Sequence, residues 1–306
     1  MYMPKKRTWA VVYLSVALIG LFFSGCKRHT SEEASKPGAP NKAVIQNIGS
    51  DTMVNLAQAW AEAYAKVFPN VSVEVSGGGS GVGVAALING TAEIANCSRK
   101  LEPDEAAKDK EKGRDPKEFL VGFDGLAVYV HKDNPMTQIS LEELSEIYRE
   151  GGKVNQWSEL GVTTIPGSKS NEIIRVSRQN NSGTYHYFRE TVVGKKADFK
   201  QGSLDMNGSK DVVELVAKTP GAIGYSGLGY ATPEVKILKV SIKKGEPGVQ
   251  PSIATVHTKS YPISRPLFMY TPGEPTVQVK QYIDWILSDS GQKIVEQTGY
   301  VPLPKS

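Results

Sequence analysis

The sequence predicts an α/β fold of two lobes, and three observations carry that expectation. Short β-like runs alternate with amphipathic helical stretches from Ala43 onward. A length of 306 residues, at roughly 100–200 residues per domain, provides for two cores. A composition of 40% hydrophobic and 22% charged residues is that of an ordinary globular chain, excluding a disordered chain or a polytopic membrane protein.

Residues 44–48 (VIQNI) read as a strand, and Gly49-Ser50-Asp51-Thr52 opens a helix to about Phe68. Its apolar positions Val54, Leu56, Ala57, Trp60, Ala61, Tyr64 and Val67 approximate one helical face. Residues 71–75 alternate as a second strand, which runs into Gly77-Gly78-Gly79-Ser80-Gly81 and the helical VGVAALING. Residues 92–95 form a third strand that stops at Asn96-Cys97-Ser98-Arg99. A strand at 126–130 is closed by Asp133-Asn134-Pro135, and 141–149 is a short helix capped by Ser140. A strand at 173–176 leads through residues 177–184 (SRQNNSGT) into a helix to about Val193. A strand at 222–225, a looser stretch at 243–260, a strand at 267–270 and a helix at 277–287 complete the chain. Such alternation places ligands at the carboxyl ends of the strands. No repeat of fixed period is present.

The N-terminus reads as an address. Lys5, Lys6 and Arg7 precede an apolar run from Trp9 to Phe23, too short for a comfortable spanning helix and shaped like an export signal. The ending Phe23-Ser24-Gly25-Cys26 looks like a bacterial lipobox, with Phe23 where a leucine is typical. Cleavage before Cys26 and lipid on its sulfur follow, which makes 1–25 a lipoprotein signal peptide. Residues 26–42, with Pro37, Gly38 and Pro40 and no apolar periodicity, are a flexible tether. The expected location is outside the cytoplasm, in the periplasm or at the cell surface, anchored by lipid to a bacterial membrane.

Charge and metal-ligating residues narrow the function. The net charge is +4, and residues 1–25 carry three basic residues and no acid, so the mature chain keeps only +1. Any anion site must therefore be local, and no basic cluster supports nucleic-acid binding. His29, His131, His186 and His257 are scattered, and Cys26 lies far from Cys97, which argues against a zinc site or a disulfide framework. Cys97 reads as a small buried apolar residue.

One device recurs three times: GSDT at 49–52, GGGSG at 77–81 and NSGT at 181–184. Each places Gly and Ser or Thr where the chain enters a helix. First-turn N–H groups lack internal partners and the dipole makes that end partly positive, so such an end binds an oxyanion. For one turn alone a plain N-cap is the stronger reading. Three together, with Arg178 four residues before Ser182 at the end of a strand, favour an anion site. Catalytic motifs fail by comparison. GGGSG lacks the Lys-Ser/Thr of an NTPase loop, no G-x-G-x-x-G is present, and the near-serine-elbows end in Val82 and Leu228. His186 is the only histidine near these turns, and the acids are scattered.

These residues resemble the phosphate-binding lipoproteins of bacterial ABC transporters, within the type II periplasmic binding protein fold. The resemblance covers nearly all of 43–306: GSDT, GGGSG, GTAEIANCSRKL, DGLAVYVHKDNP, SRQNNSGTYHYF, AIGYSGLGYA and GQKIVEQTGYVPL occur in the family's order. R-x-x-x-S-G-T from Arg178 to Thr184 is the most specific element. The resemblance implies two lobes, 43–127 plus 262–306 and 128–261, joined by two hinge crossovers around a ligand cleft. It implies anion contacts from Asp51 and Thr52, from Ser80, from Ser98, and from Arg178, Ser182, Gly183 and Thr184 of the opposite lobe. Ser50 and Gly81 flank these turns as further donors. Inorganic phosphate and ABC permease subunits are the implied partners, for a monomer with no cofactor and no enzymatic activity. Tyr225, Ser226 and Tyr230 are expected to line the cleft or the core, without a ligand role.

Ser98 departs from the family, which usually has an aspartate there that accepts a proton from the ligand. A carboxylate facing an anion repels it unless the anion brings a hydrogen. Two readings of Asp51 follow: it takes over the acceptor role while Ser98 donates, or it merely caps its helix. The exchange is preferred, because a cap carboxylate would sit unpaired against the anion. Asp124 is a second acceptor candidate with a structural role as the more ordinary reading. Alternatives are another oxyanion such as sulfate or molybdate, an exported phosphate-ester hydrolase, or a sensory or adhesion role.

Overall fold

A computed structural model describes residues 42–305. The expected signal peptide, Cys26 and all of the expected tether except Lys42 lie outside the described residues. Ten strands follow in order: β1 Ala43–Gly49, β2 Val71–Ser76, β3 Ile94–Cys97, β4 Lys117–His131, β5 Gln138–Ser140, β6 Ile174–Arg178, β7 Leu204–Met206, β8 Ala222–Gly227, β9 Val235–Ser241 and β10 Ser264–Thr271. Between them run the helices α1 Val54–Val67, α2 Ser80–Asn89, α3 Pro103–Glu111, α4 Leu141–Tyr148, α5 Gly183–Phe188, α6 Ser209–Lys218, α7 Ile253–His257, α8 Val277–Leu287 and α9 Asp289–Gln297.

The strands join in the order β2-β1-β3-β10-β4-β8-β6-β7, with β9 on β4 and β5 on β9. β1 pairs in parallel with β2 and β3, and β6 pairs in parallel with β7 and β8. The strand–helix–strand units read from the pattern demand this parallel arrangement, because a crossover helix returns the chain in the same direction. β4 and β10 run antiparallel at the centre. One stretch of β4, from Lys117 to Gly125, pairs with β10; the next, from Leu126 onward, pairs with β8 and β9. One strand thus serves both halves of the sheet.

Each half has its own core. Ile45, Met53, Leu56, Trp60, Ile94, Leu267, Tyr282 and Ile286 pack together around β1, β10, α1 and α8. Leu126, Val130, Leu144, Trp157, Phe188, Ile223, Tyr225 and Leu238 pack around the far end of β4. Tyr225 stacks on Phe188 with ring centroids 3.7 Å apart, so it belongs to this core. Single hydrogen bonds seat the large indoles: Trp60 Nε1 donates to the Gly291 carbonyl at 2.8 Å and Trp157 Nε1 to that of Gly221 at 2.9 Å.

The helices expected at 141–149 and 277–287 form, and Ser140 caps α4 by accepting from the Glu143 N–H at 3.1 Å. The strand expected at 126–130 is the end of the longer β4. The stretch 243–260 holds α7, capped by Ser252. Helices α3, α6 and α9 and strands β5, β7 and β9 add to the elements read from the pattern. Among the described residues no helix is long and apolar enough to cross a membrane.

Candidate functional site

All three glycine–hydroxyl turns come to one place. The first turn leaves β1 and enters a single 3-10 turn, Asp51–Met53, ahead of α1. The second leaves β2 and enters α2 at Ser80, and the third leaves β6 and enters α5 at Gly183. Backbone bonds fix the first two against each other and against β3: Ser50 N–H donates to Asn96 O at 2.9 Å, and Gly79 N–H to Gly49 O at 3.0 Å. Gly79 has φ of +100°, and a Cβ there would stand 2.6 Å from Asn181 O, so only glycine lets the third turn approach.

The predicted residues then touch in a chain. Ser50 Oγ donates to Ser98 Oγ at 2.8 Å, and the Ser98 N–H donates to Ser80 Oγ at 3.2 Å. Thr52 Oγ1 and Thr184 Oγ1 lie 2.7 Å apart although 132 residues separate them. Gly81 N–H donates to Asn181 O at 3.1 Å. Gly183 packs so closely on Ser80 and Ser98 that a Cβ would stand 2.7 Å from Ser98 Oγ. Ser182 is the one predicted hydroxyl spent on its own helix, accepting from Thr184 N–H at 3.1 Å and Tyr185 N–H at 3.4 Å. Ser50, Thr52, Ser80, Ser98, Ser182 and Thr184 are all buried.

Asp51 caps no helix. Its Oδ2 takes a charge-assisted bond from Arg178 Nη2 at 3.1 Å, and its Oδ1 accepts from Gly78 N–H at 2.9 Å. The reading of Asp51 as a mere cap is therefore replaced: both oxygens tie the first turn to the second and third.

Arg178 is 1% exposed and ends β6. Its Nε donates to Met206 O at 3.3 Å, Nη1 to Ser209 Oγ at 2.9 Å, and Nη2 to Asn207 O at 2.8 Å as well as to Asp51. A guanidinium has five N–H groups, so one on Nη1 remains for a ligand. Burial pushes the Arg178 pKa down from the arginine range and neighbouring Asp51 opposes this, leaving it cationic at neutral pH.

Three contributors, Arg265, Asn181 and Ser209, have no role in the expectations above. Arg265, 1% exposed on β10, donates through Nη2 to both Thr52 Oγ1 at 3.2 Å and Thr184 Oγ1 at 3.0 Å. An arginine at the mouth of an otherwise apolar strand was the signal available for it. Asn181, inside the third motif, donates from Nδ2 to Gly78 O at 2.9 Å. Ser209 holds Arg178. Tyr230, expected to line the cleft or the core, donates its hydroxyl to Asp51 O at 2.6 Å. Asp124 is fully buried, accepting from Arg265 Nε at 3.1 Å, Arg265 Nη2 at 2.8 Å and Leu228 N–H at 3.1 Å.

The assembled groups are hydroxyls, backbone amides and two guanidinium groups, each paired with one carboxylate. That set can hold an oxyanion by many short donors without a large net charge. It offers no nucleophile–base pair: His186 Nε2 faces the Asn180 carbonyl oxygen at 2.8 Å. Among the described residues no three His, Cys, Asp or Glu side chains gather as a metal site.

Comparison with known proteins adds the family. Residues 34–290 match the family model of a PBP superfamily domain. The phosphate-binding protein PstS of Pseudomonas aeruginosa is 35% identical over 271 residues, covering 85% of this chain and 83% of its own. The chain belongs to the PstS family. PstS of Bacillus subtilis is 31% identical over 309 residues, covering 97% of this chain and 95% of that relative. A substrate-binding protein of Clostridium perfringens, solved with bound phosphate, superimposes with a TM-score of 0.75 at 32% identity over 85% of this chain and all of that one. An ABC-type phosphate transport receptor from Vibrio cholerae gives a TM-score of 0.65 at 28% identity, covering 85% of this chain and all of that one. The architecture is the type II periplasmic binding protein fold that the sequence motifs resemble.

Proposed function

We propose that this protein captures inorganic phosphate outside the cytoplasm and delivers it to an ABC importer. The observation that carries the reading is the meeting of Thr52 and Thr184 at 2.7 Å on the guanidinium of Arg265, with Arg178 bonded to the neighbouring Asp51. Hydroxyls from both halves of the sheet thereby reach one point. The relatives named above, two of them phosphate-binding proteins and one solved with phosphate, support phosphate as the anion.

In this reading residues 43–127 plus 262–306 form one lobe and 128–261 the other. Asp51, Thr52, Ser80 and Ser98 bind from the first lobe; Arg178, Ser182, Gly183 and Thr184 bind from the second, flanked by Ser50 and Gly81. An anion held by both lobes ties them shut, a hinge closure that permease subunits can read. Charge-assisted hydrogen bonds contribute about 1.5–3 kcal/mol each, so a few of them, net of closure, reach the roughly 8 kcal/mol of micromolar capture. The protein binds and releases without chemistry of its own, as a monomer carried on lipid at Cys26.

Equilibrium binding tests this on residues 26–306 with Cys26→Ser, unfolded, dialysed and refolded to strip carried-over ligand. Phosphate binding without a sulfate or molybdate response is expected. A folded protein that ignores phosphate would overturn the proposal, and sulfate or molybdate binding in its place would reassign the ligand.

A further inference from the structure

Arg265 makes more contacts at the site than any predicted residue, and none of its bonding groups is an acceptor. Its Nε and Nη2 both reach Asp124 Oδ2, at 3.1 and 2.8 Å, and its Nη1 reaches Ser98 O at 3.2 Å. The Tyr187 ring of α5 lies under the guanidinium, 5.5 Å from centroid to Cζ. With one Nη2 N–H on Asp124, the other serves Thr52 Oγ1 and Thr184 Oγ1 together, at 3.2 and 3.0 Å.

That sharing has a consequence for the hydroxyls. A guanidinium only donates, so both threonine oxygens must accept from Arg265. Their protons then point away from it. At 2.7 Å one hydroxyl donates to the other, which leaves one O–H proton for a third partner. The fixed polarity turns a pair of freely rotating hydroxyls, equally able to present lone pairs, into a pair with one proton left to donate. Asp124 cancels the charge of Arg265 within a pair whose members are 1% and 0% exposed. Arg265 therefore supplies direction, and little net field, to the anion site.

We infer that Arg265 is a positioning residue for anion capture, acting through the hydroxyls of Thr52 and Thr184 and holding one from each half of the sheet on a single nitrogen. This deepens the phosphate-binding reading and rests on it. The residue sits on β10, outside all three motifs, and its contacts to Thr184 and Tyr187 exist only when the two halves meet.

A double-mutant cycle on residues 26–306 with Cys26→Ser tests the inference, with phosphate titrated into the parent, Arg265→Lys, Thr184→Val and the double variant. Each single variant should weaken phosphate binding about tenfold or more, while the double should fall within about twofold of the weaker single, because coupled residues are not additive. Thermal melting of each variant accompanies the titrations. Should Arg265→Lys melt well below the parent, the charge-neutral Arg265→Gln/Asp124→Asn takes its place in the cycle. Independent, multiplicative losses, or an Arg265 variant that binds phosphate like the parent, would overturn the inference. A parent that does not bind phosphate would instead sink the functional reading on which it rests.

Discussion

Asp51 and Arg178 form an ion pair at 3.1 Å although 127 residues separate them. The carboxylate belongs to the turn before α1 and the guanidinium to the end of β6, so the pair spans the meeting of the two halves. Because both oxygens of Asp51 are engaged, by Arg178 and by the Gly78 N–H, the acid sets the charge of the site as well as its closure.

Asp51→Asn makes the site one unit more positive. A fully ionised anion gains more from that change than one that brings its own proton. The ratio of phosphate to sulfate affinity is expected to fall about tenfold, corresponding to about 1.4 kcal/mol. Competitive titration of the two anions measures it; an unchanged ratio would reduce Asp51 to a clasp between turns.

Gly183→Ala places a methyl group against Ser80 and 2.7 Å from Ser98 Oγ. Those serines come from the other half of the sheet, so the methyl acts as a wedge between halves and leaves each core untouched. Phosphate affinity should drop more than tenfold while the melting temperature moves by no more than about 2 °C, since no core contact is lost. A large loss of thermal stability would show that the glycine serves folding instead.

Glu105 lies in α3 and holds Arg99 through two bonds, Nη1 to Oε2 at 2.8 Å and Nη2 to Oε1 at 2.7 Å. Burial alone would raise its pKa, but the Arg99 bonds outweigh it and bring the carboxyl below its ordinary value of 4.5. A depressed folded-state pKa gives stability that is present above the unfolded value and lost as pH falls through the folded one. Melting temperature should therefore decline below about pH 4.5, and Glu105→Gln should flatten that decline while lowering stability at neutral pH. An equally steep decline in the variant would assign the acid limb to other carboxylates.

Cys97 on β3 is fully buried, and burial pushes its thiol pKa up to about 12. A thiol so placed is neither ionised nor reachable. In residues 26–306 with Cys26→Ser, a disulfide exchange reagent should find no thiol in the native state and one in denaturant. Rapid native labelling would mean that β3 opens readily.

Local chemistry explains which parts were legible. GSDT, GGGSG and NSGT advertise themselves because a chain entering a helix leaves amides unpaired, and Gly, Ser and Thr answer that need within a few residues. The pattern marks the strand 117–131 only at 126–130, because Gly122, Asp124 and Gly125 interrupt the apolar run before it. Asp124 is tolerated inside a strand because Arg265, 141 residues later, neutralises it. Arg265 itself stayed silent for the same reason: its partners Thr52, Ser98, Asp124 and Thr184 are all distant in sequence. Helix α6 is absent from the pattern reading although SKDVVELVAK carries a local signal for it, an apolar face of Val212, Val213 and Val216, all buried.

β4 changes partners between Gly125 and Leu126, and β10 begins beside that point, with Ser264 opposite Gly125. The two connections between halves are therefore neighbouring rungs of one ladder rather than independent tethers. A hydrogen-bonded ribbon bends across its face far more easily than it shears along its length. Such a joint favours bending about a line through that rung over sliding along the strands. In the proposed capture, a partner gripping both halves would read that one bend, because each half acts as a lever pivoting at the shared rung.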